Sequence, residues 1–280
     1  MKRGISVSLA PYDGIRVEQA LDSLASLGVL AVEPAYIVGY TEPFDETAFL
    51  PAEARRLRGL LHERGLACHA VSAHIDLGKS DSVTVFRPRM DFARSLGARV
   101  INTNASLRSL EGQFRRNIEV LARHGEGIGL SIGLENPGNG EDNLFNTATD
   151  GIDLLQSLDL PALGLNFDAA NLASHRPEAD SARNALESLP GCIHFHVKDV
   201  ARRVDGWHFT PIGAGDIDNS TILRALAAYP NLPVSLELPL RLRRGRDAQP
   251  IRAPEPLPIT EIEAAVKASL ADLGRFLSEA

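Results

Sequence analysis

The feature that most limits how this chain can fold is a regular alternation of short β-type runs with amphipathic helical segments. The runs begin near Gly4 (GISVSLA), Val29 (VLAVEPAY), Leu66 (LACHAVSAH), Ala98 (ARVINTNA), Gly129, Leu163, Gly191 and Pro233, eight in all. Between them, Val17, Ala20, Leu21, Leu24 and Leu27 recur at helical spacing, and the stretch from Pro51 to Arg64 has proline in its first turn and Gly65 after its end. The last segment, Thr260 to Leu277, opens on the capping-box pair Thr260 and Glu263. It then places Ile262, Val266, Leu270, Leu273 and Leu277 along one stripe.

Strands that alternate with helices build parallel sheets, and eight such units close a sheet into a ring. The expected fold is therefore α/β, a (β/α)8 TIM barrel forming a single domain over residues 1–280. The Pro-rich stretch from Gln249 to Pro258 is too short to link two domains and reads as part of a long loop after the eighth strand. No run of about 18 apolar residues and no signal-peptide pattern is present, and Cys68 and Cys192 fall inside strands. A cytoplasmic protein with reduced, buried thiols is the expectation. With 36 acidic against 29 basic side chains and a net charge of -7, the surface is unsuited to a polyanion. The expected partner is a small-molecule carbohydrate, with no nucleic acid and no membrane, and a homo-oligomer is compatible with such a barrel.

Four residues stand at predicted strand tips, where α/β barrels assemble their sites: Glu135 in GLSIGLENP, Asp168 in LGLNFDAAN, His196 in CIHFHVKD and Glu237 in PVSLELP. Side chains on a strand alternate between faces. Ile132 and Leu134 therefore oppose Glu135, as Leu163, Leu165 and Phe167 oppose Asp168. In the same way Ile193, Phe195 and Val197 oppose His194 and His196, and Val234, Leu236 and Leu238 oppose Glu237. Each candidate ligand shares the inward phase, so the four can converge on one metal ion.

Other residues carry open alternatives. His194 shares the inward face one layer deeper, as a core histidine or as a group that orients a ligand. Glu33 and His74, at the tips of strands two and three, are substrate contacts or loop anchors, and Asn102 and Asn104 are weaker candidates of the same kind. Lys198 either contacts a substrate oxygen or pairs with a nearby carboxylate. Trp207 and His208 either cover a sugar ring or anchor their own loop. The run from Arg241 to Arg246 is a solvated face or a site for a carboxylate or phosphate.

The order of these residues resembles that of the xylose-isomerase-like TIM barrels, and most closely the ketose 3-epimerases among them. That resemblance spans nearly the whole chain. It implies one divalent metal held by Glu135, Asp168, His196 and Glu237, with Glu141 and Arg202 each six residues beyond a ligand, as substrate contacts. Where the family often has a substrate-binding His, three residues after the metal Asp, this chain has Asn171. PIGAGDID, Pro211 to Asp218, is similar to the family's Gly-rich stretch before the last strand.

Three carboxylates and one imidazole make a mostly oxygen donor set, which suits Mn²⁺ first and Mg²⁺ or Co²⁺ next. A metal holding a ketone oxygen and a neighbouring hydroxyl acidifies the C–H between them, and Glu135 and Glu237 are placed to remove and return that proton. The expected activity is a sugar isomerase or epimerase working on a small ketose or sugar acid. The alternative is a lyase that uses the same abstraction and then expels a β-substituent or carbon dioxide. A DNA-repair endonuclease would require more strand-tip histidines than the chain offers.

Overall fold

The computed structural model describes residues 5–277, so Gly4, where the first run was expected to begin, lies outside the described residues. In chain order the strands are β1 (Ile5–Ser8), β2 (Ala31–Glu33), β3 (Ala35–Tyr36), β4 (Ala67–Cys68), β5 (Ala70–Ala73), β6 (Val100–Asn104) and β7 (Ser131–Glu135). They continue with β8 (Leu163–Asp168), β9 (Cys192–Val197), β10 (Asp199–Arg203), β11 (Gly206–Thr210), β12 (Val234–Leu236), β13 (Leu242–Arg244) and β14 (Pro250–Arg252). The second and third predicted runs are each divided in two, the second at Pro34, which has no N–H to give a ladder. Parallel pairing runs in the order β3-β5-β6-β7-β8-β9-β12-β1-β2-β4. Because β2 pairs with β4 and β3 with β5, the two ends of that order are halves of adjoining runs, and the ring closes. The expected TIM barrel is the observed fold.

The helices are α1 (Val17–Ser26), α2 (Pro51–Glu63), α3 (Ser82–Leu96), α4 (Glu111–Ile128), α5 (Ala148–Leu158), α6 (Ala169–His175), α7 (Ser181–Ser188), α8 (Asn219–Ala227) and α9 (Ile259–Leu277). Their apolar stripes cover the outer face of the sheet, where Ile132, Leu134, Leu165, Phe167, Val197, Val234 and Leu236 are fully buried. Phe145, Phe167 and Phe195 stack in sequence there, with centroids 6.3 and 6.1 Å apart. Truncating one such ring to Ala costs about 3–5 kcal/mol. The expected capping box of the last helix does not form. The helix starts one residue earlier, so Thr260 lies inside its first turn, and Glu263 instead accepts a hydrogen bond from Ser23 Oγ at 2.7 Å.

The inside of the ring is polar. Ser6, Glu33, Ser72, Asn102, Asn166, His194 and Ser235 come from seven strands and are each at most 2% exposed. They bond to one another: Ser72 Oγ donates to Glu33 at 2.6 Å, Asn102 Nδ2 donates to Glu33 at 3.0 Å, and His194 lies 2.9 Å from Asn166 Oδ1 and 3.2 Å from Ser235 Oγ, while Asn102 Oδ1 is left without a partner among the described residues. Without these partners, burying such groups would cost several kcal/mol each.

Two corrections concern the loops after the seventh and eighth barrel strands. The arginine run and the Pro-rich stretch, expected as loop, contribute β13 and β14 to a four-stranded antiparallel sheet, β10-β11-β13-β14. The charge run is not a solvated face either. Arg241 pairs with Asp13 and Glu42, as does Arg252 on β14, and Arg243 pairs with Asp205, whereas Arg244 is buried and Arg246 is exposed, so acids distant in sequence or in a neighbouring turn neutralise only part of the clustered positive charge. This small sheet lies beside the barrel mouth.

Candidate metal centre

Register brings the strand tips together. Asn104 stands opposite Glu135, Glu135 opposite Asn166, Asp168 opposite His196, and His196 opposite Ser235. A register shift between β8 and β9 at Leu165 and Asn166 passes over Ile193, and beyond it His194 and His196 face Asn166 and Asp168. Asp168 is also the N-cap of α6, accepting from Asn171 N at 2.9 Å, and its backbone is clamped at both polar groups by the Asn136 carboxamide at 2.8 Å. Ligand atoms of Glu135, Asp168, His196 and Glu237 all lie within 4.8 Å of one another, and all four residues are buried.

Charge in this cluster is concentrated. His196 Nε2 is 3.1 Å from Glu33, and its Nδ1 is 3.3 Å from Glu135 and 3.5 Å from Glu237. His74 Nε2 approaches the other Glu135 oxygen at 3.1 Å. The Lys198 ammonium is 2.6 Å from Asp168 and also pairs with Glu237. Burial opposes charge on His196, but the carboxylates of Glu33, Glu237 and Glu135 overcome it and hold its pKa well above the usual range. Burial likewise pushes the Glu135 carboxyl upward, and His196 and His74 more than reverse this, leaving it ionised. Lys198 is held cationic against burial by Asp168 and Glu237.

Four buried carboxylates, Glu33, Glu135, Asp168 and Glu237, thus face two cations. A divalent ion fits this donor set, since it supplies the missing positive charge and takes three oxygens and one nitrogen within reach of a single centre. His196 must release its proton to serve as a donor, so binding is linked to pH.

Above the cluster opens a cavity of about 630 Å³ lined by, among others, Tyr40, His74, Asn104, Glu135, Glu141, Asn171, Lys198, Glu237 and Arg244. Of the residues singled out from sequence, His74, Asn104, Glu141, Asn171 and Lys198 line it together with Glu135 and Glu237. Glu141 stands at the rim, accepting from Asn139 Nδ2 at 3.0 Å. Asn171 reaches inward, its Nδ2 3.0 Å from Glu135 and its Oδ1 accepting from Lys198 at 3.5 Å. Glu33 and Asn102 lie beneath, inside the polar layer and off the cavity wall. Arg202 is exposed on β10, its guanidinium 5.7 Å from the Trp207 ring, and is absent from the wall. Trp207 is buried under it, and His208 pairs with Asp205 at 2.8 Å, so neither faces the cavity.

The PIGAGD stretch has a structural explanation. Asp199, directly after Lys198, accepts backbone N–H bonds from Val200, Gly213, Gly215 and Ile217 at 2.8 to 3.2 Å. A side chain at Gly215 would meet the Asp199 Cγ at 2.6 Å. Sequence reasoning missed Tyr40 altogether, and it did not separate Arg244 from its neighbours in the arginine run.

The sequence matches the family described as xylose isomerase-like TIM barrel over residues 21–261. The chain belongs to that family. Members of known structure repeat the fold: D-psicose 3-epimerase from Clostridium cellulolyticum H10, solved with D-tagatose, superposes with a TM-score of 0.76, with 16% identity and 99% of each chain covered. A xylose isomerase domain protein from Planctomyces limnophilus gives 0.74, 16% and 100% of each chain. A xylose isomerase-like TIM barrel protein from Mycobacterium smegmatis, in complex with magnesium, gives 0.71, 18% and 97% of each chain. A search of curated proteins finds no match to this sequence. At these identities the likeness to solved structures carries the barrel and not the substrate. Among the described residues no helix is long and apolar enough to cross a membrane.

Proposed function

We propose that this protein is a divalent-metal-dependent sugar isomerase or epimerase that moves a proton at a carbon next to a carbonyl. One observation carries the reading: Glu135 and Glu237 line the same cavity, from non-adjacent strands, and belong to one four-residue cluster with the composition of a metal site. Two carboxylates so placed can serve a substrate between them, one as base and one as acid.

Glu135 is the base, held ionised by His196 and His74. Its carboxylate takes the proton. The C–H electron pair then forms a carbon–carbon double bond, and the carbonyl π pair moves onto its oxygen to give an enediolate. Glu237, a carboxylate in the resting cluster, must first take up a proton from solvent to serve as the acid; it then returns that proton to carbon from the other side and is a carboxylate again. When bound, the divalent ion, with Mn²⁺ the first choice and Mg²⁺ or Co²⁺ next, supplies electrophilic stabilisation of the negative charge on the substrate oxygens. Lys198 lies beside Glu237 and the cavity, where its ammonium favours the same developing charge. Return to the same carbon inverts a stereocentre, whereas return to its neighbour interconverts aldose and ketose.

The test is turnover of ketoses by metal-loaded protein in D₂O, read by NMR. Deuterium at the carbon next to the carbonyl, in product or recovered substrate, is expected. Transfer without solvent exchange would indicate a hydride route or a sealed base. Release of the aglycone from a β-linked 3-keto-glycoside would move the assignment to a lyase using the same abstraction.

A further inference from the structure

Arg244 sits on β13, beside the barrel mouth, and is 2% exposed. Its Nη1 donates to the Ala248 carbonyl at 3.1 Å and its Nη2 to Asn171 Oδ1 at a long 3.4 Å, while Nε has no partner. The guanidinium lies 5.2 Å from the Tyr40 ring centroid. It also presses on Gly138, where an added Cβ would stand 2.7 Å from Nε, so a glycine leaves the space this side chain fills. Arg244, Tyr40 and Gly138 all belong to the cavity wall.

What distinguishes Arg244 is its missing counter-charge. Arg241, Arg243 and Arg252 on the same small sheet or at its edge are each paired with an acid. Arg244 is the most deeply buried of the four, and among the described residues no carboxylate lies within 4.0 Å of it. A buried cation is expensive unless an anion offsets the lost hydration. Lys198, the other buried cation on the wall, is already engaged by Asp168 and Glu237.

We propose that Arg244 receives an oxyanion, the carboxylate or phosphate at one end of the substrate, and that the substrates are therefore anionic sugars rather than neutral ketoses. This rests on the isomerase or epimerase reading of the same cavity and names its substrate class. Asn171 sets the spacing: its Oδ1 accepts from Arg244 and its Nδ2 donates to Glu135 at 3.0 Å, so the anion site and the base are one carboxamide apart. A guanidinium fork suits carboxylate and phosphate alike, and a hydroxyl offers it no charge. Arg202, exposed and stacked on Trp207, does not compete for this role.

The experiment measures binding of D-fructose, D-fructuronate and D-fructose 6-phosphate to Mn²⁺-loaded protein by titration calorimetry. In the wild type, at least one anionic sugar is expected to bind about tenfold or more tightly than D-fructose, the size of one charge-assisted contact. Whichever of the two binds better identifies the oxyanion. In Arg244→Gln that preference should fall to within about twofold, while Arg244→Lys, which keeps the charge and loses the fork, should retain part of it. The wild-type comparison stands even if a variant fails to fold. No preference in the wild type, failure of all three to bind, or an equal loss for neutral and anionic sugars in Arg244→Gln overturns the proposal. Turnover is scored separately: preference without proton exchange removes the isomerase reading and keeps the anion site, and exchange on D-fructose without preference does the reverse.

Discussion

His194 and His196 lie two residues apart on one strand, point to the same side and are both fully buried, yet they are driven to opposite protonation states. Around His194 the near partners are Asn166, Asn102 and Ser235, with Glu33 no closer than 3.7 Å; burial dominates and pushes its pKa down to about 4. Around His196 three carboxylates stand at 3.1 to 3.5 Å and overcome the same burial penalty. The barrel interior is thus divided into a hydrogen-bonded layer, neutral but for Glu33, and, one pleat higher, a layer of opposed charges. Depth alone decides neither. The nearest formal charges do, because Coulomb terms grow steeply at low dielectric.

The sharpest way to break this contrast is at the upper layer. Glu135→Gln and Glu237→Gln keep the shape and remove the base or acid, so each is expected to lower kcat by about 10² to 10⁴ in the ketose assay. Near-normal rates in both would remove the proposed roles. Next comes metal. Purified wild type should carry about one divalent ion per chain, and His196→Ala should lose most of it while His194→Gln keeps it. Elemental analysis decides, and equal occupancy in the two variants would erase the distinction between the layers.

A smaller effect separates the histidines by pH. An unfolded histidine titrates near 6.5, whereas folded His194 and His175 stay neutral down to about 4, chiefly because they are buried. As pH falls through that window the unfolded chain binds protons that the folded chain refuses, so stability present above about 6.5 is lost, by up to about 3 kcal/mol per group. His196 has the opposite sign: its contribution is complete below about 6.5 and is lost as pH rises through its elevated folded value. Urea midpoints at pH 7 and pH 4.5 should therefore drop for the wild type and drop less for His194→Gln; an equal or steeper drop in the variant would contradict the assignment. The smallest effect is expected at the surface. Arg202→Ala removes one stacking contact with Trp207, worth about 0.5–1 kcal/mol, and should leave KM within about twofold. A large rise in KM would bring Arg202 into the site.

Much of the barrel was legible because its signals are local. The split of Ile132 and Leu134 from Glu135, or of Leu165 and Phe167 from Asp168, follows from strand pleating within six residues. The cluster of Glu135, Asp168, His196 and Glu237 follows from that phase repeated on four strands that topology then brings together. The capping box at Thr260 shows where local reading ends. Its two residues satisfy the pattern, but Glu263 finds Ser23, distant in sequence and adjacent in space.

The sequence by itself determined the repeating unit, the eight runs that build the barrel and which residues face inward at each tip, since all three are set by short-range periodicity and chain order. Only the tertiary structure decided what the charges mean. Whether His194 or His196 is charged depends on Glu33, more than 160 residues earlier in the chain, and on which of two layers its side chain reaches. Which arginine of the Arg241 to Arg246 run meets the cavity depends on the pairing of β13 with β11 and on the space left at Gly138. Arg243 and Arg244 are adjacent in the chain and fall on opposite faces of that small sheet, one paired with Asp205 and the other left over the cavity without an acid. Periodicity fixes direction relative to a strand, but electrostatic partners are set by long-range packing, which no local pattern encodes.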